Sequence, residues 1–318
     1  MSSGKKFLLH DSGANSDRFL VFATPRNLQL LGRCKTLFSD GTFGTAPSKL
    51  FNQLYTIHGE YRSAVVPLVY ALLQNKTELT YTRLVTAIQG HVNLVPTSWL
   101  TDFERAAINA IEAKFPNTTK GCFFHLQQCV WRKVCESGLK RMYEEEDGQF
   151  ALSIRCLAAL AFVPESRIPD YFILLIGHAD FDARALPVAM YFEDVWIGTP
   201  DRLTQQRGQP MFPLRLWNMH QRTLDGQHRT NNAVEGWHRR FQSVLGCSRP
   251  SVFRFINAIK REQKMVSLKV ERYLAGQNPP SSKKCYRDVN TRLENLANHF
   301  DEIPAYDYLK GIAHNFMA

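Results

Sequence analysis

The first third of the chain alternates hydrophobic and polar residues in a pattern that predicts several short β-strands. Residues 18–24 form an apolar run, and strand-like stretches follow at residues 36–43, 51–60 and 64–73. A period of two residues predicts strands, because successive side chains of a strand point to opposite faces. The turns between the last three stretches are short, which favours antiparallel pairing. We therefore expect an antiparallel meander in this part of the chain.

After the meander, the hydrophobic period changes to that of an α-helix. Thr77 precedes apolar residues at helical spacing, and residues 104–115 carry a second apolar helical face. Residues 99–102 and 121–124 are predicted strands on either side of that second helix. The order β-β-β-α-β-α-β is that of a ribonuclease H-like core, an α/β fold with a mixed five-stranded sheet and flanking helices. The helical crossovers allow the later strands to pair in parallel.

The remaining sequence is mainly helical, with interruptions that show no clear period. Helical patterns continue over residues 126–178, residues 183–220 have no clear period, and two long helices are predicted to begin at Thr230 and Pro250. We expect an all-helical insertion in the core, and C-terminal helices after it. The predicted segments are an N-terminal segment (1–34), the first part of the core (35–126), a mainly helical insertion (127–226), the closing core helix with a following basic helix (227–275), and a linker with a C-terminal extension (276–318).

Composition indicates a large core and an excess of positive charge. The 318 residues are 44% hydrophobic and 12% aromatic, which argues against a disordered or low-complexity chain. The net charge of +10 divides into +8 for residues 1–143, −5 for residues 144–226 and +7 for residues 227–318. A basic surface favours a polyphosphate partner such as nucleic acid. Many modestly basic proteins have no such partner, so composition alone leaves both explanations open.

Cysteine usage and hydropathy favour a soluble, intracellular protein. The seven cysteines are scattered along the chain, which favours reduced thiols over a disulfide framework. No uninterrupted apolar stretch reaches the roughly 18 residues that a membrane helix needs, and the first residues do not resemble a secretory signal. We therefore expect no membrane association.

Three acidic residues occur where a cation site is expected. Asp40 lies at the end of an apolar strand before a glycine, and Asp102 lies between a strand and the next helix. Carboxylates on neighbouring strands provide the oxygen ligands that Mg²⁺ prefers. Glu235 borders the apolar stripe of a later helix. Taken singly, each aspartate is more often a turn former or helix cap, and Glu235 equally fits a surface ion pair with Arg239.

Six short motifs occur in the order of one protein family. They are SDGTF at 39–43, QLYTIH at 53–58, TDFE at 101–104, FP at 115–116, GCFFH at 121–125 and TNNAVEGWH at 230–238. Together they resemble the transposase domain of Mutator-like elements over about residues 34–246, and the ordered set is more specific than any single motif. The resemblance implies a DDE transposase, in which Asp40 and Asp102 match the two aspartates and Glu235 matches the glutamate.

The resemblance also implies a metal-dependent reaction on DNA. Asp40, Asp102 and Glu235 would hold two Mg²⁺ or Mn²⁺ ions, with Asp40 bridging them. The same site would hydrolyse the end of an element and then transfer the freed 3′-hydroxyl strand to target DNA. The partners would be double-stranded DNA, both transposon ends and target, and a second copy of the chain, since two ends must meet. No small-molecule cofactor is expected, and a eukaryotic host implies a nuclear location.

Further residues close to these motifs are expected to support the site. Cys122 and His125 resemble the CxxH signature of the family, and their spacing offers two zinc ligands. A buried thiol and a hydrogen-bonded histidine explain the same pair equally well. His238 could orient Glu235 or contact a phosphate, although a solvated helix histidine is more common.

Basic residues on the last two predicted long helices are the candidate DNA contacts. Phosphate contacts on one face would leave Phe241, Phe253 and Phe255 to pack on the opposite face. For any single lysine, a solvated helix face is the ordinary explanation. The candidates are Arg239, Arg240, Arg249, Arg254, Lys260, Arg261 and Lys264.

Two other functions are compatible with the same motifs. A host-adopted, transposase-derived factor would bind DNA or other proteins without transposition. A nuclease of the same fold would cut DNA without joining strands. The presence of all three acidic residues favours catalysis, and an assay for metal-dependent cleavage and joining would distinguish the three functions.

Overall fold

The computed structural model describes residues 7–47, 50–145, 148–201, 203–204, 206–281 and 283–316. The first six residues of the predicted N-terminal segment and Ser282 of the predicted linker lie outside the described residues, as do residues 48–49, 146–147, 202, 205 and 317–318. The chain divides into two compact units, each built from separated stretches of sequence. The first comprises Met1–Lys120 and Asn231–Pro280, and the second comprises Gly121–Thr230 and Ser281–Ala318.

A mixed β-sheet forms the framework of the first unit. Its described strands are β1 (Leu8–Asp11), β2 (Phe19–Phe22), β3 (Thr36–Thr42), β4 (Gln53–Tyr61), β5 (Ala64–Leu73), β6 (Ser98–Thr101) and β7 (Thr119–Gly121). The strand order is β1-β2-β5-β4-β3-β6-β7. Strands β3, β4 and β5 pair antiparallel in sequence, which confirms the predicted meander. Strand β3 also pairs in parallel with β6, so the sheet is mixed as expected.

The sheet has seven described strands, whereas the sequence predicts five. The additional strands are β2, which pairs with β5, and β1, which pairs with β2. Phe19, Val21 and Phe22 of β2 are buried. An unpaired edge exposes backbone N–H and C=O groups, and β2 satisfies those of β5 while it adds apolar side chains to the core. The apolar run at residues 18–24 predicts β2 itself but not its partner, because strand pairing is non-local.

Helices occur in both units. In chain order the described α-helices are α1 (Pro25–Leu31), α2 (Glu78–Gln89), α3 (Arg105–Lys114), α4 (Phe123–Glu136), α5 (Lys140–Tyr143), α6 (Gln149–Ala159), α7 (Ile168–Ile176), α8 (Leu186–Phe192), α9 (Leu214–Trp217), α10 (His220–Leu224), α11 (Asn232–Leu245), α12 (Val252–Leu274), α13 (Lys284–Asn298) and α14 (Ala305–Ala313). Helices α1, α2, α3, α11 and α12 belong to the first unit. Shorter helical turns lie at Leu160–Phe162, Glu165–Arg167, Ala183–Ala185, Glu193–Ile197 and His314–Phe316.

Both faces of the sheet are covered by helices of the first unit. On one face, Leu54 and Leu72 pack with buried residues of α11 and α12. On the other face, Tyr55 and Ile57 pack with buried residues of α1, α2 and α3. Because side chains alternate along a strand, β4 contributes to both cores. Helix α11 therefore lies against the sheet and not in solvent.

The stretch at residues 121–124 is not the strand that the sequence predicts. Strand β7 ends at Gly121, Cys122 precedes α4, and the helix begins at Phe123. Phe123 and Leu126 are both buried on α4. The apolar residues here follow helical spacing from the start, and a short apolar run does not by itself distinguish a strand from a buried helix.

The second unit is predominantly helical in its described residues, with an isolated antiparallel bridge between Pro200 and Arg207. Residues 183–220, which show no clear period, include the short helices α8 and α9 and the helical turns at Ala183–Ala185 and Glu193–Ile197, and Trp196 and Trp217 in these elements are fully buried. Such short helices pack large aromatic side chains from several directions, so no single face repeats along the sequence. No helix within the described ranges is both long and apolar enough to span a bilayer.

The predicted C-terminal extension folds into this second unit. Helix α14 contacts α6, and α13 contacts α10. The hydroxyl of Tyr308 donates a hydrogen bond to the carbonyl oxygen of Phe162 at 2.6 Å. The last helices are therefore part of a packed core.

Candidate active site

Asp40 lies near the C-terminal end of β3 with its carboxylate largely buried. Its side chain is 10% exposed, and Oδ2 lies 3.5 Å from Nδ1 of His238. Oδ1 accepts a hydrogen bond from the backbone N–H of Gly41 at 2.8 Å. These contacts use part of the acceptor capacity of a carboxylate, which offers about four lone-pair sites. Asp40 therefore keeps acceptor positions for a cation.

Asp102 directly follows β6, the strand that pairs in parallel with β3. Phe38 of β3 is opposite Leu100 of β6 in the last pair of this ladder, and Asp40 and Asp102 each come two residues later in their own segment. Neighbouring strands lie about 4.8 Å apart, so both aspartates occupy one edge of the sheet. Oδ1 of Asp102 also accepts a hydrogen bond from the backbone N–H of Glu104 at 3.3 Å. Asp102 thus forms a turn just before α3, which is one of the ordinary roles that its sequence position suggests.

The start of α11 is anchored beside Asp40 by polar and apolar contacts. Asn231 donates a hydrogen bond from Nδ2 to the carbonyl oxygen of Ser39 at 3.0 Å. Val234 packs with Phe38 and Leu100. On β3, the side chain of Phe38 makes the apolar contact, and the backbone carbonyl of the next residue, Ser39, accepts the hydrogen bond. The first turn of α11 is thereby held over the ends of β3 and β6.

The structure does not gather the ligand atoms of the three acidic residues around a single point. Glu235 is half-buried in the first turn of α11, and His238, one turn later, contacts Asp40. Within the described ranges, ligand atoms of Asp40, Asp102 and Glu235 do not all lie within 4.8 Å of one another. A cation bound by all three residues would require their carboxylates to approach one another more closely.

A line of buried polar side chains leads from Asp40 into the sheet. Nε2 of His238 lies 2.9 Å from Oγ1 of Thr56, which lies 3.0 Å from Nε2 of His58. Burial lowers the pKa of His58 well below its ordinary value, and the neighbouring His238 lowers it further. The sequence suggests Glu235 or a phosphate as the partner of His238, but the structure brings its ring to Asp40 and Thr56. The alternation of Thr56 and His58 along β4 is the signal that could have revealed this line.

A second polar group beside Asp102 is not indicated by the sequence. The hydroxyl of Tyr81 donates to Oε1 of Glu104 at 3.0 Å. Nζ of Lys76 lies 3.7 Å from Oε2 of Glu104 and 4.3 Å from the ring centroid of Phe43. Burial raises the pKa of Glu104 and the charge of Asp102 raises it further, while Lys76 opposes the shift. These contacts hold a lysine close to the candidate site.

Cys122 and His125 lie in the second unit, at the start of α4. Cys122 is buried and His125 is half-buried. A ring nitrogen of His125 lies within 4.8 Å of Sγ of Cys122. Two ligands at this spacing suit zinc, but a structural zinc site has four, so zinc binding at this pair stays a prediction.

The candidate DNA-contacting residues are all exposed, and Arg240 differs from the others in its partners. Its guanidinium NH1 donates to Oε2 of Glu262 at 2.9 Å, and its NH2 contacts Oε1. Glu262 is only 4% exposed, and Oε1 also accepts from Nε1 of Trp237 at 2.9 Å. The charge of Arg240 therefore neutralises a buried carboxylate.

The aromatic residues near the basic series do not all face the core. Phe241 and Phe255 are buried as expected, whereas Phe253 is 78% exposed. The prediction that Phe253 packs on the inner face is therefore wrong. Position 253 lies on the outer side of α12, because Phe255 two residues later already faces inward and successive helix positions differ by about 100°.

Comparison with known proteins identifies one family. The model of the MULE transposase domain matches residues 36–129, which confirms over that stretch the resemblance predicted from the motifs. The matched stretch contains Asp40, Asp102, Cys122 and His125, and it ends before Glu235. No curated protein and no solved structure matches the chain.

Proposed function

We propose that this chain is the catalytic domain of a DDE-type DNA transposase, which cuts DNA with divalent cations and joins the freed 3′-hydroxyl to target DNA. The proposal depends chiefly on one observation. Asp40 and Asp102 each come two residues after the last pair of the parallel β3–β6 ladder, inside the stretch that matches the MULE transposase domain. Glu235 on α11, which is anchored to the same edge through Asn231, would complete the acidic set.

A ribonuclease H-like core is consistent with five strands of the sheet. Strands β3 to β7, with α2 and α3, follow the order β-β-β-α-β-α-β along the chain. Strand β3 is antiparallel to β4 and parallel to β6. Residues 121–230 would be the helical insertion of this core, and α11 would be its closing helix.

Asp40, Asp102 and Glu235 would hold two Mg²⁺ or Mn²⁺ ions. The donor set fits, because carboxylate oxygens are the ligands these cations prefer and Asp40 keeps unused acceptor positions. Bound ions of this kind activate an attacking hydroxyl and stabilise the leaving oxygen of a phosphodiester. The chain contributes a carboxylate with a defined orientation, since the backbone of Gly41 holds one oxygen of Asp40 and His238 faces the other.

Double-stranded DNA is the partner that this chemistry requires. Exposed basic residues on α11 and α12, among them Arg239, Lys260 and Lys264, belong to the unit that carries the acidic set. A transposase brings two DNA ends together, so a homo-oligomer is expected. In a eukaryotic host, the protein would act in the nucleus.

Metal-dependent cleavage tests the proposal. Incubation with supercoiled plasmid and Mn²⁺ should produce nicked and linear DNA, and a 3′-hydroxyl oligonucleotide should be joined to the plasmid. Asp40→Asn keeps the shape of the side chain but removes its charge, so it should abolish cleavage and leave DNA affinity unchanged. Asp11→Asn, a change at an exposed residue of β1, is the control and should cut normally. Normal cleavage by the Asp40 variant would contradict the proposal.

A second candidate is a host-adopted, transposase-derived factor that binds DNA or protein without cutting. It is favoured by the observation that the ligand atoms of the three acidic residues do not all lie within 4.8 Å of one another in the described ranges. Such a factor would bind DNA but leave the plasmid intact at every Mn²⁺ concentration. The same assay therefore distinguishes the two functions.

A further inference from the structure

We propose that His238 is a positioning residue for Asp40, and that Thr56 and His58 hold His238 in the tautomer that this role requires. The inference rests on the proposed function, in which Asp40 binds a divalent cation. It assigns a role in the site to Thr56 and His58 of β4, which would not bind the cation themselves.

The geometry brings four side chains from three neighbouring elements into one line. Asp40 of β3 is directly opposite Thr56 of β4 in the antiparallel register, and His58 lies two residues further along β4. His238 comes from α11 and fills the space between Asp40 and Thr56, at 3.5 Å and 2.9 Å respectively. All four residues are less than 10% exposed. Water therefore competes little with these contacts.

The hydrogen-bonding capacities of the groups give the line one direction when the ring of His238 carries a single proton. A hydroxyl has one proton, so Thr56 can donate to only one of the two Nε2 atoms that face it. If His238 is neutral and directs Nδ1–H at the carboxylate of Asp40, its Nε2 must accept the proton of Thr56. His58 must then donate Nε2–H to the oxygen of Thr56. Each donor has an acceptor in this arrangement. In the opposite tautomer of His238, Nδ1 would direct a lone pair and not a proton at the carboxylate of Asp40.

His58 is suited to be the fixed end of the line. Burial holds the pKa of its imidazole well below the ordinary value, so the ring stays neutral and carries a single N–H. The ring also packs edge-on against Trp237, with 5.6 Å between the centroids. Trp237 is itself held by Glu262 through its Nε1. The orientation of His58 is therefore set by packing and hydrogen bonding together.

The consequence for the site is a carboxylate with one preferred rotamer. The 3.5 Å separation between Nδ1 of His238 and Oδ2 of Asp40 is longer than an ordinary hydrogen bond, so the ring orients the carboxylate through a weak polar contact. Partners that orient metal-binding carboxylates and histidines typically change metal affinity by about 10- to 100-fold when they are removed. The arrangement should therefore act on metal binding before any DNA is present.

Nuclear magnetic resonance tests the tautomer directly. Long-range proton–nitrogen correlation on protein with ¹⁵N-labelled histidine reports which ring nitrogen carries the proton. The signals of His238 are identified by their loss in His238→Gln. We expect the proton on Nδ1, and a shift toward the Nε2 form in Thr56→Val. A proton on Nε2 of His238 in the unsubstituted protein would overturn the inference.

Calorimetric titration with Mn²⁺ tests the positioning role. Thr56→Val and His238→Gln should weaken Mn²⁺ binding by about tenfold, whereas Thr56→Ser keeps the hydroxyl and should preserve the affinity. Thr223→Val is the matched control, since it removes a buried hydroxyl that bonds the carbonyl oxygen of Met219 at 2.8 Å in the second unit. Unchanged Mn²⁺ affinity in Thr56→Val would overturn the inference.

The two hypotheses fail in different ways. If the protein shows the Nδ1 tautomer and the expected Mn²⁺ titrations but cuts no DNA, the proposed function is contradicted and the role of His238 is supported. A protein that cuts DNA while Thr56→Val binds Mn²⁺ normally would support the proposed function and overturn this inference.

Discussion

Asn231 and Ser39 are 192 residues apart in sequence and are joined by a hydrogen bond of 3.0 Å from the Asn231 side chain to the Ser39 carbonyl oxygen. Ser39 directly precedes Asp40, and Asn231 directly precedes α11, which carries Glu235. One buried amide therefore ties the helix that carries the third acidic residue to the strand that carries the first.

Replacing this amide should separate the two parts of the site. In Asn231→Asp a carboxylate faces the Ser39 carbonyl oxygen, so the hydrogen bond is lost and a charge is buried. Together these changes should lower the free energy of unfolding by about 1–3 kcal/mol. The rate of plasmid cleavage should fall by more than the loss of folded protein explains, because Glu235 is displaced. Urea denaturation and plasmid nicking measure both quantities. Asn232→Asp, at the exposed neighbouring position, should leave both nearly unchanged, and equal effects at 231 and 232 would contradict the anchoring role.

Arg239 should contribute to DNA binding, whereas Arg240 should contribute to the stability of the fold. Arg240→Ala leaves Glu262 buried with one partner fewer, so we expect a loss of about 2 kcal/mol in stability, less than for a fully buried pair because the Arg240 side chain is 53% exposed. Arg239→Ala should leave the thermal midpoint unchanged and weaken DNA binding. Differential scanning fluorimetry and fluorescence anisotropy give the two readings. A stable Arg240→Ala protein would show that Glu262 does not need this partner.

DNA affinity should fall steeply with salt if the basic residues of α12 contact phosphates. Lys260→Gln and Lys264→Gln together should reduce the slope of log K against log[salt] by about 2, since each phosphate contact contributes roughly 0.9. Both side chains are exposed, so stability should not change. Anisotropy titrations at several potassium chloride concentrations measure the slope. Lys284→Gln, in the second unit, serves as the comparison, and an unchanged slope in the double variant would place the DNA elsewhere.

The buried His58 predicts loss of stability in acid. Its pKa is lowered below the ordinary 6.5, so the neutral ring favours the folded state above that pH. As the pH falls below 6.5, the unfolded chain binds a proton that the folded one does not, and stability decreases by up to about 1.4 kcal/mol per pH unit. His58→Gln cannot titrate, so its melting temperature should fall less between pH 7 and pH 5. His91→Gln, a change at an exposed ring, should follow the unsubstituted protein.

Gly41 is required by the side chain of Gln53 on the next strand. A Cβ at position 41 would lie 1.6 Å from Nε2 of Gln53, whose side chain is buried and has its Oε1 3.2 Å from the hydroxyl oxygen of Tyr81. Gly41→Ala should therefore cost about 1–3 kcal/mol. Adding Gln53→Ala should restore part of that loss, which a double-mutant cycle measures. Gly236→Ala, where the added Cβ meets nothing within 4 Å on a helix, should stabilise the protein.

Much of the candidate site could be predicted from the sequence because it depends on local patterns. The meander, the helix that follows Thr77 and the long helix ending at Leu274 each result from a repeating apolar face. The parallel pairing of β3 with β6, the segments that precede Asp40 and Asp102, also agrees with the predicted core. The short apolar stretch after Gly121 is ambiguous for a physical reason, since three apolar residues fit a strand and the first turn of a helix equally well.

The sequence by itself determined which residue types could form a carboxylate site and roughly which strands and helices would carry them. Only the tertiary structure decided that His238 faces Asp40, that Arg240 is used by Glu262, and that the C-terminal helices complete the second unit. The reason is physical. Periodicity reports the face on which a residue lies, whereas a hydrogen bond or ion pair depends on which distant segment packs against that face.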